Sequence, residues 1–214
     1  ALSFLSDLRG HEGCVNVIVF NPSGDILASG SDDGKVRLWN PYTFTCMRTM
    51  NAHQSNVFAA EFLPFNDQHL ASGGNDAELK YYNLETEEAT IYSHHTRKVL
   101  RMTVHPEHPY CFMSCSADGT VRMIDTRQHY DASSSGPIDT VQGRVGDVVP
   151  QALGGGRGMR PAGATPATAS LIVNYRTRHA APQLYSVDFN PMNGQQFIVG
   201  SERGDIRLFD LRQI

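Results

Sequence analysis

Apolar positions in this chain come in short runs broken by turn-forming clusters. Val15, Val17 and Val19 alternate with Asn16 and Ile18 before Phe20, which predicts a nearly continuous buried strand. Asn21-Pro22-Ser23-Gly24-Asp25 follows as a turn, with Pro and Gly supplying the backbone angles. Ile26 to Ser31 reads as a second strand, Asp32-Asp33-Gly34 as a hairpin turn and Lys35 to Trp39 as a third strand. Thr45 to Met50 completes a fourth, more polar one. The predicted unit is a meander of four antiparallel strands, its innermost strand the most apolar.

That unit recurs. The first copy runs from Gly10-His11 through Leu27-Ala28-Ser29-Gly30-Ser31-Asp32-Asp33-Gly34 to Val36-Arg37-Leu38-Trp39-Asn40. The second has His53, Leu70-Ala71-Ser72-Gly73-Gly74-Asn75-Asp76 and Leu79-Lys80-Tyr81-Tyr82-Asn83. The third has His95, Ser114-Cys115-Ser116-Ala117-Asp118-Gly119 and Val121-Arg122-Met123-Ile124-Asp125. Asp33 and Asp76 are 43 residues apart, Asp76 and Asp118 are 42 apart. A period in the low forties, with a Gly-His start and a Trp-Asp-like end, resembles the WD40 blade. The resemblance implies an all-β propeller. One blade cannot bury both faces, so blades stack, and the stack is a scaffold for binding.

A fourth copy follows after an interruption. Leu184-Tyr185-Ser186-Val187-Asp188-Phe189, Gln196-Phe197-Ile198-Val199-Gly200-Ser201 and Ile206-Arg207-Leu208-Phe209-Asp210 match its first three strands, with His179 at the histidine position. Between Ala132 and Ser170, 25 of 39 residues are Gly, Pro, Ser, Ala or Thr, too few apolar groups to offset the entropy of ordering. The expected organisation is therefore: 1–9, outer strand of a preceding blade; 10–52, first repeat; 53–93, second; 94–131, third; 132–170, disordered Gly/Pro/Ala-rich insertion; 171–178, delayed outer strand of the third repeat; 179–214, fourth repeat. Four blades make an unusually small ring, since propellers have about four to eight. With Ala1 at the start and the last apolar strand close to Ile214, the chain reads as four consecutive blades of a ring of about seven.

Composition narrows the function classes. A net charge of −4 gives no global attraction to nucleic acid or an anionic membrane. No apolar run approaches the roughly 18 residues that span a bilayer, and no secretory leader pattern opens the chain. Four cysteines (Cys14, Cys46, Cys111, Cys115) are too few for a disulfide framework and fit a reducing compartment, hence the nucleus or cytoplasm.

Three sets of residues invite a chemical reading. His11, Ser29 or Ser31, Asp33 and Trp39 have the residue types of a nucleophile–base–acid set. The WD40 resemblance implies instead a structural hydrogen-bond chain, with His11, Asp33, Trp39, His53, Asp76, His95 and Asp118 as turn locks. A catalytic set would not be reinstalled at every period, so no catalytic residue is expected. His105, His108, Cys111 and Cys115 match no common zinc spacing and read as turn and core residues. Gly154-Gly155-Gly156-Arg157-Gly158 lacks the Lys-Ser/Thr ending of a phosphate loop and reads as a solvated linker. With Arg97, Lys98 and Arg101 it carries the lesser alternative of an RNA-associated propeller; another alternative is a scaffold of some other complex.

The more specific signal is Ile124-Asp125-Thr126-Arg127 and Phe209-Asp210-Leu211-Arg212, where Asp and Arg stand two apart after a large apolar residue. The first two repeats end Trp39-Asn40-Pro41-Tyr42 and Tyr82-Asn83-Leu84-Glu85, without the arginine. Read as the end of a strand, residues two apart project to the same side, so Asp and Arg pair locally while the guanidinium fork faces a partner. These segments resemble the Trp-Asp-x-Arg box of WD-repeat substrate receptors for cullin-4 ubiquitin ligases, with Ile124 and Phe209 in place of Trp. Gly10-His11-Glu12-Gly13-Cys14-Val15-Asn16, and Asn56-Val57-Phe58 with Phe62-Leu63-Pro64, extend the likeness to the cullin-4-associated factor group, including its WD and tetratricopeptide repeat subtype. The likeness covers residues 10–127 and 171–212. Arg203 departs from it, standing where Asp33, Asp76 and Asp118 stand. The resemblance implies a substrate receptor with Asp125, Arg127, Asp210 and Arg212 on the ligase adaptor and an unidentified protein as target. It implies no cofactor, metal, small-molecule substrate or membrane.

Overall fold

The structure is a computed structural model and describes residues 3–127, 170–175 and 181–213. The insertion expected over 132–170 lies outside the described residues except for Ser170, as do His179 and Arg157. Among the described residues every regular element is a strand apart from a 3-10 turn at Leu211–Gln213. The first sheet holds β1 (Val15–Phe20), β2 (Leu27–Ser31), β3 (Lys35–Asn40) and β4 (Thr45–Asn51). The second holds β5 (Val57–Phe62), β6 (His69–Gly74), β7 (Leu79–Asn83) and β8 (Glu88–Tyr92). The third holds β9 (Val99–Val104), β10 (Cys111–Ser116), β11 (Thr120–Asp125) and β12 (Ser170–Asn174). The fourth holds three strands, β13 (Leu184–Phe189), β14 (Gln196–Ser201) and β15 (Ile206–Asp210). Within each sheet, spatial order follows chain order and every pairing is antiparallel, the meander of a propeller blade. Among the described residues no helix is long and apolar enough to cross a membrane.

The first strands of the blades lie side by side, β1 beside β5, β5 beside β9 and β9 beside β13. The core is accordingly three apolar layers, one at each junction. Val17, Val36, Leu38, Val57 and Leu70 fill the first. Leu79, Tyr92, Val99, Met102, Phe112 and Ile124 fill the second, and Met113, Val121, Leu184, Val187 and Phe197 the third. Each large side chain buried this way stabilises the arc by about 1.5–3 kcal/mol. That stabilisation belongs to the junctions, not to single blades.

Two expectations need correction. The run from Val15 to Phe20 forms a strand but is buried only at Val17: Val15, Ile18 and Phe20 are all more than half exposed. The equivalent β5 has blades on both sides and buries Val57, Ala59, Ala60 and Phe62. Exposure of β1 is thus a matter of neighbours, as it is for Ile206 and Leu208 on β15. The second concerns Ser3 to Leu8, which forms no strand. A strand exists only against a ladder partner, and no sheet takes up this segment.

Candidate functional site

The turns between second and third strands, with the segments entering each blade, make one end of the arc. There His11 Nδ1 lies 3.0 Å from Asp33 Oδ2 and Nε2 lies 2.7 Å from Ser29 Oγ, which also accepts the Trp39 indole N–H at 2.8 Å. His53 repeats this with Asp76 and Ser72, both at 2.8 Å. His95 does so with Asp118 at 3.2 Å and Ser114 at 2.9 Å. Each aspartate also accepts two backbone N–H groups: Glu12 and Lys35 on Asp33, Gln54 and Glu78 on Asp76, Thr96 and Thr120 on Asp118. One carboxylate thereby ties the entry segment to the hairpin turn.

Burial pushes the Asp33 carboxyl upward, but the His11 bond and the two backbone N–H groups outweigh it and hold it at about 2. The same contest leaves Asp118 far below the usual carboxylate range. Burial pulls His95 below its ordinary value against the pull of Asp118. A neutral ring facing an acceptor-only carboxylate carries its proton on Nδ1, leaving Nε2 to accept from the Ser114 hydroxyl. Ser29, Ser72 and Ser114 are buried within their strands, and each bonds its histidine. A nucleophile needs access to a substrate, whereas these hydroxyls anchor a turn.

The fourth blade has a different solution. Register places Val199 where the other blades have serine, and Phe209 where the first has Trp39. Arg203 stands for the aspartate, so serine, aspartate and tryptophan are all gone. In their place Phe197 stacks on Phe209 with centroids 5.1 Å apart, and Asp205 joins Ser201 to Arg207, whose guanidinium lies over Tyr175. The substitution of Val199 was readable by laying Phe197-Ile198-Val199 on Leu70-Ala71-Ser72.

The opposite end carries the paired Asp-x-Arg segments. Both strands stop at the aspartate, and the arginine lies two residues on in a turn, so strand alternation does not make the pair. The aspartate makes it. Asp125 Oδ1 and Asp210 Oδ1 each accept the arginine's backbone N–H at 3.0 Å, which curls the chain back. Arg127 Nε and Nη2 then donate to the two Asp125 oxygens at 3.0 and 2.7 Å. Arg212 does the same on Asp210 at 2.9 and 2.5 Å. The Arg212 bonds hold Asp210 at about 2, and Arg127 draws Asp125 downward likewise. Both arginine side chains remain exposed, at 62% and 63%. Arg127 also lies 5.0 Å from the Tyr110 ring centroid.

In the first two blades the same position caps a turn without a fork. Asn40 Oδ1 accepts the N–H groups of Tyr42 and Thr43, and Asn83 Oδ1 those of Glu85 and Thr86. All four blades therefore need an acceptor there, and only the third and fourth add a guanidinium.

The remaining candidates are engaged inside the fold. His105 is buried, its Nδ1 accepts the N–H groups of Glu107 and His108, and burial lowers its pKa. Cys115 is buried and its thiol points to Leu184 O. Among the described residues no group of three or more His, Cys, Asp or Glu is disposed to hold a metal. Arg97 donates to Ala117 O, and Lys98 lies over Phe58.

The WD domain, G-beta repeat family matches residues 2–40, 44–83 and 86–125, three windows each closing on the turn-capping Asn or Asp. The chain belongs to the WD40 family. The fourth blade, which has lost its lock, lies outside the matched windows. Among curated proteins it is similar to human "DDB1- and CUL4-associated factor 6", 40% identical over 133 residues, 59% of this chain and 15% of that protein. It is 30% identical to "Protein ALTERED SEED GERMINATION 2" of Arabidopsis thaliana over the whole of this chain and 28% of the relative. Human "WD and tetratricopeptide repeats protein 1" is 35% identical over 131 residues, 60% of this chain and 19% of that protein. The chain thus spans between about a seventh and about a quarter of these relatives. As a WD40 arc it is a protein-interaction scaffold.

Proposed function

We propose that this chain is part of the propeller of a substrate receptor that docks on the adaptor of a cullin-4 ubiquitin ligase and presents a protein target, in the nucleus or cytoplasm. The observation that carries the reading is the pair of equivalent forks, Asp125–Arg127 and Asp210–Arg212, on neighbouring blades. Each carboxylate grips the Nε and Nη2 edge of its guanidinium, so the arginine is oriented before a partner arrives and loses less freedom on binding. The Nη1 edge is then the one offered to carbonyls or carboxylates of the adaptor, with a planar geometry that lysine cannot reproduce. The relative named for its association with DDB1 and CUL4 supports the same partner class. The open faces of β1 and β15 are where further blades of a ring of about seven would pack.

The test is Arg127→Ala with Arg212→Ala in the complete polypeptide. Co-purification of the cullin-4 adaptor is expected to disappear while the melting temperature moves by no more than about 2 °C, since exposed ion pairs contribute little to stability. Undiminished adaptor binding by the folded double variant overturns the assignment.

A further inference from the structure

The innermost strand of every blade carries the same irregularity. On β5, Val57 pairs with Gly74 and Ala59 with Gly73, which leaves Phe58 between them without a ladder partner. Asn16 on β1, Leu100 on β9 and Tyr185 on β13 are left out in the same way. Such a bulge breaks the alternation of a strand and re-aims one side chain. Each of the four is the second residue of its strand, so all lie at the lock end, along the inner rim of the arc.

Folding uses the residue before the bulge. Val57, Val99 and Leu184 are fully buried in the junctions. The bulged residue that follows is turned outward: Tyr185 is half exposed, and Phe58 and Leu100 are partly so. Three of the four bulges therefore bring a large apolar or aromatic side chain to the rim, where packing does not require one.

The polar groups beside them differ from one junction to the next. At the first junction Asp32 accepts from the side chains of Asn16 and Asn56, and Asn16 donates also to Val57 O at 3.1 Å. That stretch of rim is satisfied internally. At the second junction Lys98 takes the repeat position of Asn56, each offering its carbonyl to the lock turn of its own blade. Its Nζ lies 5.9 Å from the centroid of the Phe58 ring, across the junction. Arg97 beside it is exposed and steadied by a bond from Nη1 to Ala117 O at 3.0 Å. Among the described residues neither Lys98 nor Arg97 has a carboxylate in ion-pair contact, whereas Lys35 has Glu12 and Lys80 has Glu78. Of the nearby lock-turn carboxylates, Asp118 is closed within its lock, and Glu202 is exposed next to Arg203 on the fourth blade.

We infer that the second-junction stretch of this rim is a docking site for an acidic segment of a partner protein, with its carboxylates on Lys98 and Arg97 and an apolar side chain against Phe58 and Leu100. Tyr185 extends the apolar part toward the fourth blade. Charge complementarity selects the occupant: two cations without acidic partners stand beside apolar groups that the fold leaves in water. A carboxylate meeting an ammonium held over an aromatic face forms a charge-assisted bond in a partly dry setting. The site lies at the end opposite the forks and does not depend on the cullin-4 reading. Under that reading the acidic segment belongs to the target.

The experiment uses the complete polypeptide and pools of fluorescein-labelled hexapeptides with a central leucine or phenylalanine. The pools differ in their flanks, which are acidic, basic, or serine and glycine. Fluorescence anisotropy is expected to show the acidic pool bound about fivefold or more tightly than either other pool, a preference that weakens as salt rises. Lys98→Glu is expected to abolish the preference. Phe58→Ser with Tyr185→Ser is expected to weaken binding of the acidic pool about fivefold, with the fold confirmed by an unchanged far-ultraviolet circular dichroism spectrum. Arg127→Ala with Arg212→Ala should leave peptide binding as it is, whatever it does to the adaptor, so the two readings fail separately. Binding of no pool, equal binding of all three, or an acidic preference that survives Lys98→Glu in the folded protein overturns the inference. Lys98-dependent binding of a uridine homopolymer RNA more tightly than the acidic pool makes the occupant a nucleic acid and overturns it as well.

Discussion

The two ends of the arc use the same residue type, a carboxylate on a turn, for opposite purposes. At the lock end Asp118 is 1% exposed and is surrounded by His95, Thr96 and Thr120 of its own blade. At the fork end Asp125 faces an arginine that stays mostly in water. A buried carboxylate cannot be left without its partners, so the lock stabilises the blade and is closed to outsiders. An exposed fork adds little to folding and keeps an edge for another molecule. The contrast separates stability from recognition within one repeat.

The largest expected effect breaks the lock. Asp118→Ala leaves the N–H groups of Thr96 and Thr120 without their acceptor in a dry turn, and His95 Nδ1 with the Thr120 hydroxyl alone. Loss of about 3–5 kcal/mol of stability is expected, from one uncompensated buried network. Urea unfolding measures it. The fraction that remains folded should bind the adaptor with wild-type affinity, because nothing at the fork end has changed. An unfolding midpoint within error of wild type would mean that the lock is ornamental.

Acid acts on the same network more gently. His95 has a folded pKa below its ordinary 6.5, so the unfolded chain takes up a proton that the folded one refuses. Its contribution is full above about pH 6.5 and declines as pH falls through that value. Asp33, Asp76 and Asp118 are depressed from 3.8, so their contribution is full above that value and is lost below it, towards about 2 for Asp33. Stability should therefore fall steeply below pH 4, whereas between pH 7 and 5 the loss from His95 is opposed by Glu61, whose carboxyl burial raises to about 7 and which folds more favourably once protonated. Unfolding free energies measured across this range check both parts. Full stability retained below pH 3 would contradict the part assigned to the three aspartates.

Much of the lock was legible in the chain. The 42- and 43-residue spacings align Asp33, Asp76 and Asp118, and geometry then follows because identical turns repeat. The β12 strand was also legible despite the long gap before it, since Leu171-Ile172-Val173 is an apolar run and the third repeat has no other candidate for its outer strand. Relations between blades were not. Exposure of β1 depends on which neighbour is present. The close approach of Gly194 to the His105 ring joins two blades through residues that share no repeat position. The Asp-x-Arg pair was visible as a motif, but its closure by a backbone N–H needed the turn and not the strand.

The smallest effect expected is at a turn where the lock end departs from its own rule. Gly34, Gly119 and Gly204 follow the lock position in three blades with φ between 75° and 79°, and the second blade puts Ala77 there at 65°. Left-handed backbone costs an L-residue about 1–2 kcal/mol. Glycine removes that cost but gives back about 0.5–1 kcal/mol in chain entropy. The difference leaves Ala77→Gly stabilising by about 0.5 kcal/mol, a rise of roughly 1–3 °C in melting temperature. The sign is the informative part. If the second blade were held in this conformation by its lock alone, with His53 and Asp76 already imposing the turn, the strain is present in the wild type and its relief must raise the melting point. A fall would mean that the Ala77 methyl group packs usefully where the other blades have none. If the adaptor docks at the far end as proposed, its affinity should not move in either case.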